Sequence, residues 1–145
     1  MSVAVPLHIG PKLDVLIVDD NPFMRAAIAR ILERQGRQCV AVASVDEAKM
    51  TLIDHPPALV LTDFVLGNRE TGVDLVSWIK SQPSLRDLAC GIMSGSDRRD
   101  IEDALRASHL EALPILEKPF GLDDLEVFLT GLLSPARNNV QLDVS

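Results

Sequence analysis

The chain alternates short apolar runs with longer segments in which apolar residues recur every three or four positions. The apolar runs are "LDVLIVDD", "CVAVAS", "PALVLTD", "ACGIMSGS" and "ALPILEKP". In the segment after the first run, the apolar positions are Phe23, Met24, Ala27, Ile28, Ile31 and Leu32. Short runs of this kind are typical of buried strands, and the wider spacing is typical of amphipathic helices. Five strands alternating with five helices predict a parallel sheet covered by helices on both faces.

Proline, glycine and capping residues indicate where these helices begin and end. Pro22 suits the first turn of the first helix, and Gly36 suits its end. Ser44 and Glu47 have the spacing of a capping box at the start of the second helix, which should end before Pro56. The remaining helices are predicted from Gly72 to Gln82, from near Asp97 with Ile101, Ala104 and Leu105 on one face, and around Leu122, Leu125, Phe128, Leu129 and Leu132.

Composition and charge narrow the class of protein. The chain has 145 residues, of which 47% are apolar, and a net charge of −7, which suits a single soluble domain. Without a basic stripe, this charge argues against direct binding to nucleic acid. No run approaches the roughly 20 consecutive apolar residues of a membrane span. No secretory signal begins the sequence, so we expect a cytoplasmic location.

The same reading gives the domain limits and the role of the cysteines. We expect one folded domain at residues 12–133, between loose tails at residues 1–11 and 134–145. Cys39 and Cys90 lie in apolar runs, and their spacing matches no metal-binding pattern. We therefore expect both cysteines to be small core residues.

Polar side chains with chemical potential follow four of the five predicted strands. Asp19 and Asp20 end the first strand, and Asp63 ends the third. Ser94 ends the fourth strand, and Lys118 ends the fifth. Ligands of open parallel sheets bind at the carboxyl ends of the strands. If the first strand lies between the second and the third, these five residues should converge on one spot.

Three carboxylates in one pocket repel one another unless a cation lies among them. Oxygen ligands that leave room for water suit Mg²⁺, whereas Zn²⁺ prefers histidine or cysteine. Lys118 adds a fixed positive charge and Ser94 adds a hydroxyl group. Such a set can hold the oxygens of a phosphoryl group, since phosphoryl transfer depends mainly on positioning and charge neutralisation. An aspartate can itself be the nucleophile and form an aspartyl-phosphate.

Four motifs, in this order and at these strand ends, resemble a known family. They are "VDD", "TDF", "MSG" and "EKPF". With them, the sequence from about residue 13 to residue 133 resembles the receiver domain of two-component response regulators, in the manner of the single-domain chemotaxis regulators. The resemblance implies a doubly wound, flavodoxin-like α/β fold with a five-stranded parallel sheet in the order 2-1-3-4-5.

The resemblance also implies a role for each residue of the acidic pocket. Asp63 matches the phosphoacceptor. Asp20 and Asp63 would bind Mg²⁺ directly, together with the backbone carbonyl of Val65, and Asp19 would act through a water molecule. The phosphoryl group would come from a sensor histidine kinase or a histidine phosphotransfer protein. The output would be a changed contact with a downstream protein, so the domain would act as a switch more than as a metabolic enzyme.

At the ends of the fourth and fifth strands, the resemblance implies two further roles. Ser94 matches the hydroxyl residue that turns towards the phosphoryl group, and Lys118 matches the residue that pairs with it. The family usually has a cis peptide bond after this lysine, so we expect one between Lys118 and Pro119.

The sequence departs from the family at three places. Gly67 stands where a proline is common, in a loop that is about one residue longer than usual. Ile115 stands where the family has an aromatic switch residue, so this chain cannot use a turning ring. Pro114 precedes the fifth strand and favours a position at the sheet edge. The surface of the fourth helix, fifth strand and fifth helix is a common partner surface in the family, and we expect it to include Arg98, Arg99, Glu102 and Ile115.

Other functions remain open at this point. The chain could be an interaction module that kept the fold but is not phosphorylated, or a receiver cut from a longer regulator. A hydrolase with an aspartyl nucleophile is a further class, but it usually has a second aspartate two residues after the first. Val65 occupies that position.

Overall fold

A computed structural model describes residues 13–67 and 70–133. Its five strands are β1 (Val15–Val18), β2 (Cys39–Val42), β3 (Leu59–Asp63), β4 (Ala89–Ser94) and β5 (Ile115–Glu117). Its five helices are α1 (Pro22–Arg34), α2 (Val45–Asp54), α3 (Gly72–Ser81), α4 (Arg98–Ala107) and α5 (Leu122–Leu133). The strands form one parallel sheet in the order β2-β1-β3-β4-β5, which confirms the predicted fold class. The predicted tails at residues 1–11 and 134–145 lie outside the described residues.

The sheet separates two apolar layers. All four residues of β1 are completely buried, and they alternate between the two faces. Leu16 and Val18 pack with α2, α3 and α4, while Val15 and Ile17 pack with α1 and α5. Burial on both faces explains why β1 is an unbroken apolar run, since neither face meets water. Because all five strands run parallel, their carboxyl ends meet at one edge of the sheet, between the two layers.

The helix ends largely follow the predicted signals. Pro22 opens α1, and Gly36 follows it with a φ of 77°, a conformation that glycine adopts without a steric penalty. The Oγ atom of Ser44 accepts a hydrogen bond from the Glu47 N–H at 3.2 Å. The Glu47 carboxylate accepts from the Ala43 N–H and not from Ser44, so the predicted capping box is only half formed. α3 ends at residue 81, one residue earlier than expected.

The predicted apolar stripes are wrong at their amino-terminal ends. Phe23 is 84% exposed, Ala27 is exposed, and Leu122 is 55% exposed. The first turns of α1 and α5 begin just beyond the carboxyl edge of the sheet, so no strand lies beneath them. Periodicity identifies the helix face, but it does not show where the sheet under that face stops.

Cys90 is buried in the core as expected, whereas Cys39 is only half-buried.

Candidate functional site

Three carboxylates meet at the carboxyl edge of the sheet. β1 and β3 are neighbours, with Val18 opposite Thr62, so the residues that follow them lie side by side. Oxygen atoms of Asp19, Asp20 and Asp63 all lie within 4.8 Å of one another. Asp19 is completely buried, Asp63 is half-buried and Asp20 is exposed. The predicted acidic cluster is therefore present, and it opens to solvent on the side of Asp20.

Lys118 brings a positive charge into this cluster. Its Nζ atom lies 3.2 Å from Oδ2 of Asp19 and 3.3 Å from Oδ1 of Asp63. Its backbone N–H donates to the carbonyl of Ser94 at 2.7 Å, which ties the end of β5 to the end of β4. The peptide bond from Lys118 to Pro119 is cis, as expected. One ammonium group thus contacts carboxylates from two strands.

The Ser94 side chain is held at the same edge with its proton available. Only 2% of Ser94 is exposed, and its Oγ atom accepts a hydrogen bond from the Ser96 N–H at 2.9 Å. A hydroxyl group that accepts one bond keeps its own O–H as a donor. The nearest atom to a Cβ built on Gly95 would be Cβ of Lys118, at 3.8 Å, so the approach beside Ser94 is uncrowded.

The partners of Asp19 differ from those of Asp20. Oδ1 of Asp19 accepts from the Asn21 N–H at 2.9 Å, and Oδ2 accepts from Lys118. The backbone carbonyl of Asp19 accepts from Nη1 of Arg25 at 2.8 Å. In the described part of the chain, Asp20 has no hydrogen-bond or ion-pair partner. The buried carboxylate is thus satisfied by the protein, while the exposed one is available to a ligand. Arg25 was not anticipated from the sequence, although it lies about one helical turn after the acidic pair.

Burial makes Asp63 a weaker acid than an ordinary aspartate. Its pKa is raised mainly because burial disfavours the charged carboxylate, and secondly because the negative charge of Asp19 is close. The Lys118 ammonium group and the Phe64 N–H, which donates to Oδ1 at 3.0 Å, oppose this rise. On balance the pKa is raised, so the lowering effects of Lys118 and of the Phe64 N–H are smaller than the raising effects of burial and Asp19 together.

The loop after β3 directs one backbone oxygen away from its own hairpin. Val65 and Thr71 form an isolated antiparallel bridge, and the Gly72 N–H donates to the carbonyl of Phe64 at 2.7 Å. That hydrogen bond flanks the bridged pair. In the pair itself the backbone N–H and C=O groups point outward, as in any non-hydrogen-bonded pair. The Val65 carbonyl is therefore turned away from Thr71 and can serve a ligand.

The donor set suits a hard divalent cation. Carboxylate oxygens of Asp20 and Asp63 and the carbonyl of Val65 are all oxygen ligands, and the exposed side of the cluster leaves room for water. Mg²⁺ is typically bound by one or two carboxylates and keeps several waters. The residues present therefore fit Mg²⁺. The described residues near this cluster include no histidine or cysteine that would favour Zn²⁺.

The predicted surface group lies mostly together on α4 and β5. The Arg98 guanidinium lies 3.0 Å from the Glu117 carboxylate and 3.4 Å from that of Glu102. These carboxylates raise the pKa of Arg98, with the Glu117 hydrogen bond the largest cause. Arg98, Glu102 and Ile115 line one cavity of about 290 Å³. Arg99 is exposed on α4 but does not line that cavity.

Two further expectations concern the edge of the sheet and membranes. β5 is an outer strand, as the proline before it predicted. Among the helices of residues 13–67 and 70–133, none is both long and apolar enough to cross a membrane.

Comparison with known proteins identifies the family. The family model of the response regulator receiver domain matches residues 15–130. The nitrogen assimilation regulatory protein NtrX of Azorhizobium caulinodans is 32% identical over 125 residues, which are 86% of this chain and 27% of NtrX. A probable chemotaxis protein CheY of Rhizobium etli is 25% identical over 121 residues, which are 83% of this chain and 92% of that protein. The chain thus spans about a quarter of the NtrX-type relatives and nearly all of the CheY-type relative.

Solved structures agree with this assignment. The structure of NtrX from Brucella abortus matches 92% of this chain and 29% of that chain, with a TM-score of 0.74 and 30% identity. Chemotaxis protein CheY4 of Vibrio cholerae matches 85% of this chain and 100% of that chain, with a TM-score of 0.76. Its 20% identity supports the fold alone. With the family match over residues 15–130 and the acidic cluster in place, the chain belongs to the response regulator receiver domain family.

Proposed function

We propose that this domain is a phosphorylation-dependent switch in which Asp63 accepts a phosphoryl group from a phosphohistidine. The observation that carries the proposal is the placement of Lys118, whose Nζ atom contacts both Asp19 and Asp63 within an otherwise acidic cluster. Once the Asp63 carboxylate is phosphorylated and no longer carries its own charge, a lysine in this position can hold a phosphoryl oxygen. Belonging to the receiver family supports the same conclusion.

The transfer step follows from the groups at the site. A carboxylate oxygen of Asp63 attacks phosphorus and forms an O–P bond, while the N–P bond of the phosphohistidine breaks. The imidazole nitrogen keeps the electron pair and takes up a proton. Ser94 O–H and Lys118 would donate hydrogen bonds to phosphoryl oxygens, since both lie at adjacent strand ends. Hydrolysis later breaks the O–P bond by attack of water, which returns the free carboxylate and inorganic phosphate.

Magnesium would be held by Asp20, Asp63 and the Val65 carbonyl, with Asp19 acting through water. When bound, Mg²⁺ would neutralise the charge that develops on the phosphoryl oxygens. The protein residues do the rest: Asp19 holds Lys118 in place, and Phe64 N–H fixes one oxygen of Asp63.

The proposed partners follow from this chemistry. The donor would be a sensor histidine kinase or a histidine phosphotransfer protein in the cytoplasm, and the output would be a changed contact with a downstream protein. No direct contact with nucleic acid or membrane is proposed for residues 13–133. Because the NtrX-type relatives are about four times longer than the matched region, we propose the switch role for this domain and not the activity of those whole proteins. The domain would catalyse only its own phosphorylation and dephosphorylation.

An intact-mass measurement tests the proposal. The parent protein, Asp63→Asn and the control Asp46→Asn are each incubated with acetyl phosphate, with Mg²⁺ or with excess EDTA. Asp46 is exposed on α2 and carries the same charge. We expect one added phosphoryl group on the parent and on Asp46→Asn, only with Mg²⁺, and none on Asp63→Asn. Equal labelling of Asp63→Asn, or no labelling of a parent that binds Mg²⁺, would refute the proposal.

A further inference from the structure

A second concave surface lies away from the acidic cluster, between β2 and α2. This β2–α2 groove has a volume of about 580 Å³, within the range of ligand-binding clefts. It is lined by Leu13, Gln38, Cys39, Val40, Val42, Glu47, Met50, Thr51, Asp54 and His55. Several of these residues precede β1 or β2 or follow α2, so the groove extends towards the amino ends of the strands. It is thus distinct from the phosphorylation site.

The groove has an exposed apolar wall. Val40 and Met50 line the groove and are 40% and 66% exposed, and Ile53, which does not itself line the groove, is 67% exposed. Met50 and Ile53 are three residues apart on α2 and therefore share one helix face. Large aliphatic side chains gathered at one place on a surface indicate an interaction site more strongly than single exposed ones do.

One side of the groove is an unpaired strand edge. β2 is the outermost strand and pairs with β1 alone. The backbone carbonyls of Gln38 and Val42 accept hydrogen bonds from N–H groups in β1 or directly next to it. Backbone groups of successive residues in a strand point to opposite sides, so those of Cys39 and Ala41 point away from β1. Ala43 N–H also points outward, and the Glu47 carboxylate already accepts its hydrogen bond at 2.9 Å. Within residues 13–67 and 70–133, no backbone group pairs with those of Cys39 and Ala41, so these groups can pair with an added strand.

The rim of the groove is acidic. Glu47 and Asp54 line it together with His55, and no lysine or arginine does so among the residues that the structure describes. An occupant with basic side chains would gain from this charge, and an acidic one would be repelled. Glu47 lies in the first turn of α2 and Asp54 at its end, with Met50 between them. We propose that the β2–α2 groove binds an extended segment of a partner protein, with apolar side chains at its centre and basic side chains near both ends, as an added strand along β2.

Peptide binding tests this proposal independently of phosphorylation. The probe is a fluorescent ten-residue peptide with four central valines and three lysines at each end, and its binding is measured by fluorescence anisotropy. Two comparison peptides carry glutamate in place of lysine, or proline at alternate positions, which removes the strand's N–H donors. We expect binding at least tenfold tighter for the valine–lysine peptide than for either comparison peptide. Equal affinity for all three would overturn the proposal.

Two matched variants separate docking from general charge attraction. Met50→Asp and Val127→Asp each add one negative charge at an exposed aliphatic position on a helix. General attraction would strengthen peptide binding equally in both variants. Docking in the groove predicts at least a tenfold loss for Met50→Asp and little change for Val127→Asp, and the same effect in both variants would overturn it.

Hydrogen exchange measured by NMR locates the added strand. On peptide binding, the amides of Cys39 and Ala41 should gain protection, while that of Val40, which faces β1, should not change. Absence of protection at both outward amides would contradict strand addition. Binding that appears only when Val5 and Leu7 are both replaced by serine would make residues 1–12 of this chain the occupant, and would overturn the proposal of a partner.

Discussion

Gly72 makes a close contact with the backbone of Asp63, the proposed phosphoacceptor, and Gly72→Ala should both destabilise the fold and weaken the proposed metal site. A Cβ atom at position 72 would lie 2.3 Å from the backbone oxygen of Asp63 and 2.9 Å from Cγ2 of Thr62. An ordinary carbon–oxygen contact is about 3.3–3.6 Å, so the two backbone segments must separate by roughly 1 Å. The obstructing atom belongs to the backbone, so a side-chain rotation cannot relieve the clash.

The size of the effect follows from three contributions. Overpacking of this kind costs about 1–3 kcal/mol. Weakening the hydrogen bond from Gly72 N–H to the carbonyl of Phe64, now 2.7 Å long, adds about 1 kcal/mol. Alanine's better helix propensity returns up to about 1 kcal/mol. We expect a net loss of about 1–4 kcal/mol, which corresponds to a fall in Tm of roughly 3–20 °C for a domain of this size.

The assay combines thermal unfolding with Mg²⁺ titration. Because Asp63 moves with its backbone, we expect Gly72→Ala to bind Mg²⁺ about tenfold or more weakly, as for other changes that disturb a ligand's support. Gly131→Ala is the control, since a Cβ there meets nothing within 4 Å inside α5, and it should raise stability by up to about 1 kcal/mol. A Tm for Gly72→Ala within about 2 °C of the parent, with unchanged Mg²⁺ affinity, would refute the reasoning.

Three further predictions concern other residues. Burial raises the pKa of the Cys90 thiol to about 11 from 9.0, so the folded state keeps a proton that the unfolded chain loses. The free energy of unfolding should therefore fall by about 2–3 kcal/mol as the pH rises from about 9 to 11, and urea unfolding of Cys90→Ala should lack this slope. Phe23 is exposed in the first turn of α1, three residues after Asp20, where a large donor protein could contact it and acetyl phosphate could not. Phe23→Ser should therefore slow transfer from a phosphohistidine protein about fivefold or more while leaving acetyl phosphate labelling unchanged. Val127→Ser, at an exposed position on α5, should affect neither. Asp20→Asn should weaken Mg²⁺ binding at least about tenfold by calorimetry without lowering the Tm in EDTA; an unchanged Mg²⁺ affinity would contradict the assigned role.

The sequence was sufficient to predict where the acidic cluster lies because the order of the strands decides which strand ends are neighbours. Once β1 lies between β2 and β3, the residues that follow β1 and β3 must be neighbours. Asp19, Asp20 and Asp63 therefore converge without any knowledge of side-chain packing. Lys118 joins them because β4 and β5 are tied at their ends through Ser94. The strand-end positions predicted this convergence together with the strand order, which the resemblance to the receiver family implied.

The burial of individual helix residues and several local hydrogen bonds were not predicted in the same way. Phe23 has the right spacing for the core stripe of α1, but its helical turn lies beyond the sheet. The capping box of Thr71 and Asp74 was missed, although each side chain accepts a hydrogen bond from the other's backbone N–H. Arg25 was missed because its partner is a backbone carbonyl, which no sequence pattern marks.

Charge explains why the chain tolerates an acidic pair at the end of a buried strand. Three carboxylates and one ammonium group leave two uncompensated negative charges, and carboxylates at up to 4.8 Å repel by roughly 3–4 kcal/mol per pair at an effective dielectric constant of about 20. Burial adds to this cost: the pKa of Asp63 is raised mainly by burial and secondly by the charge of Asp19, and Lys118 opposes this rise without cancelling it. Asp19 is fully paired, so the imbalance falls on Asp20 and Asp63, at the side open to solvent. A divalent cation would balance the two negative charges. Phosphorylation of Asp63 would then change the negative charge next to Lys118. These unfavourable charges therefore lie where a small ligand can bind them, as expected of a site that trades stability for function.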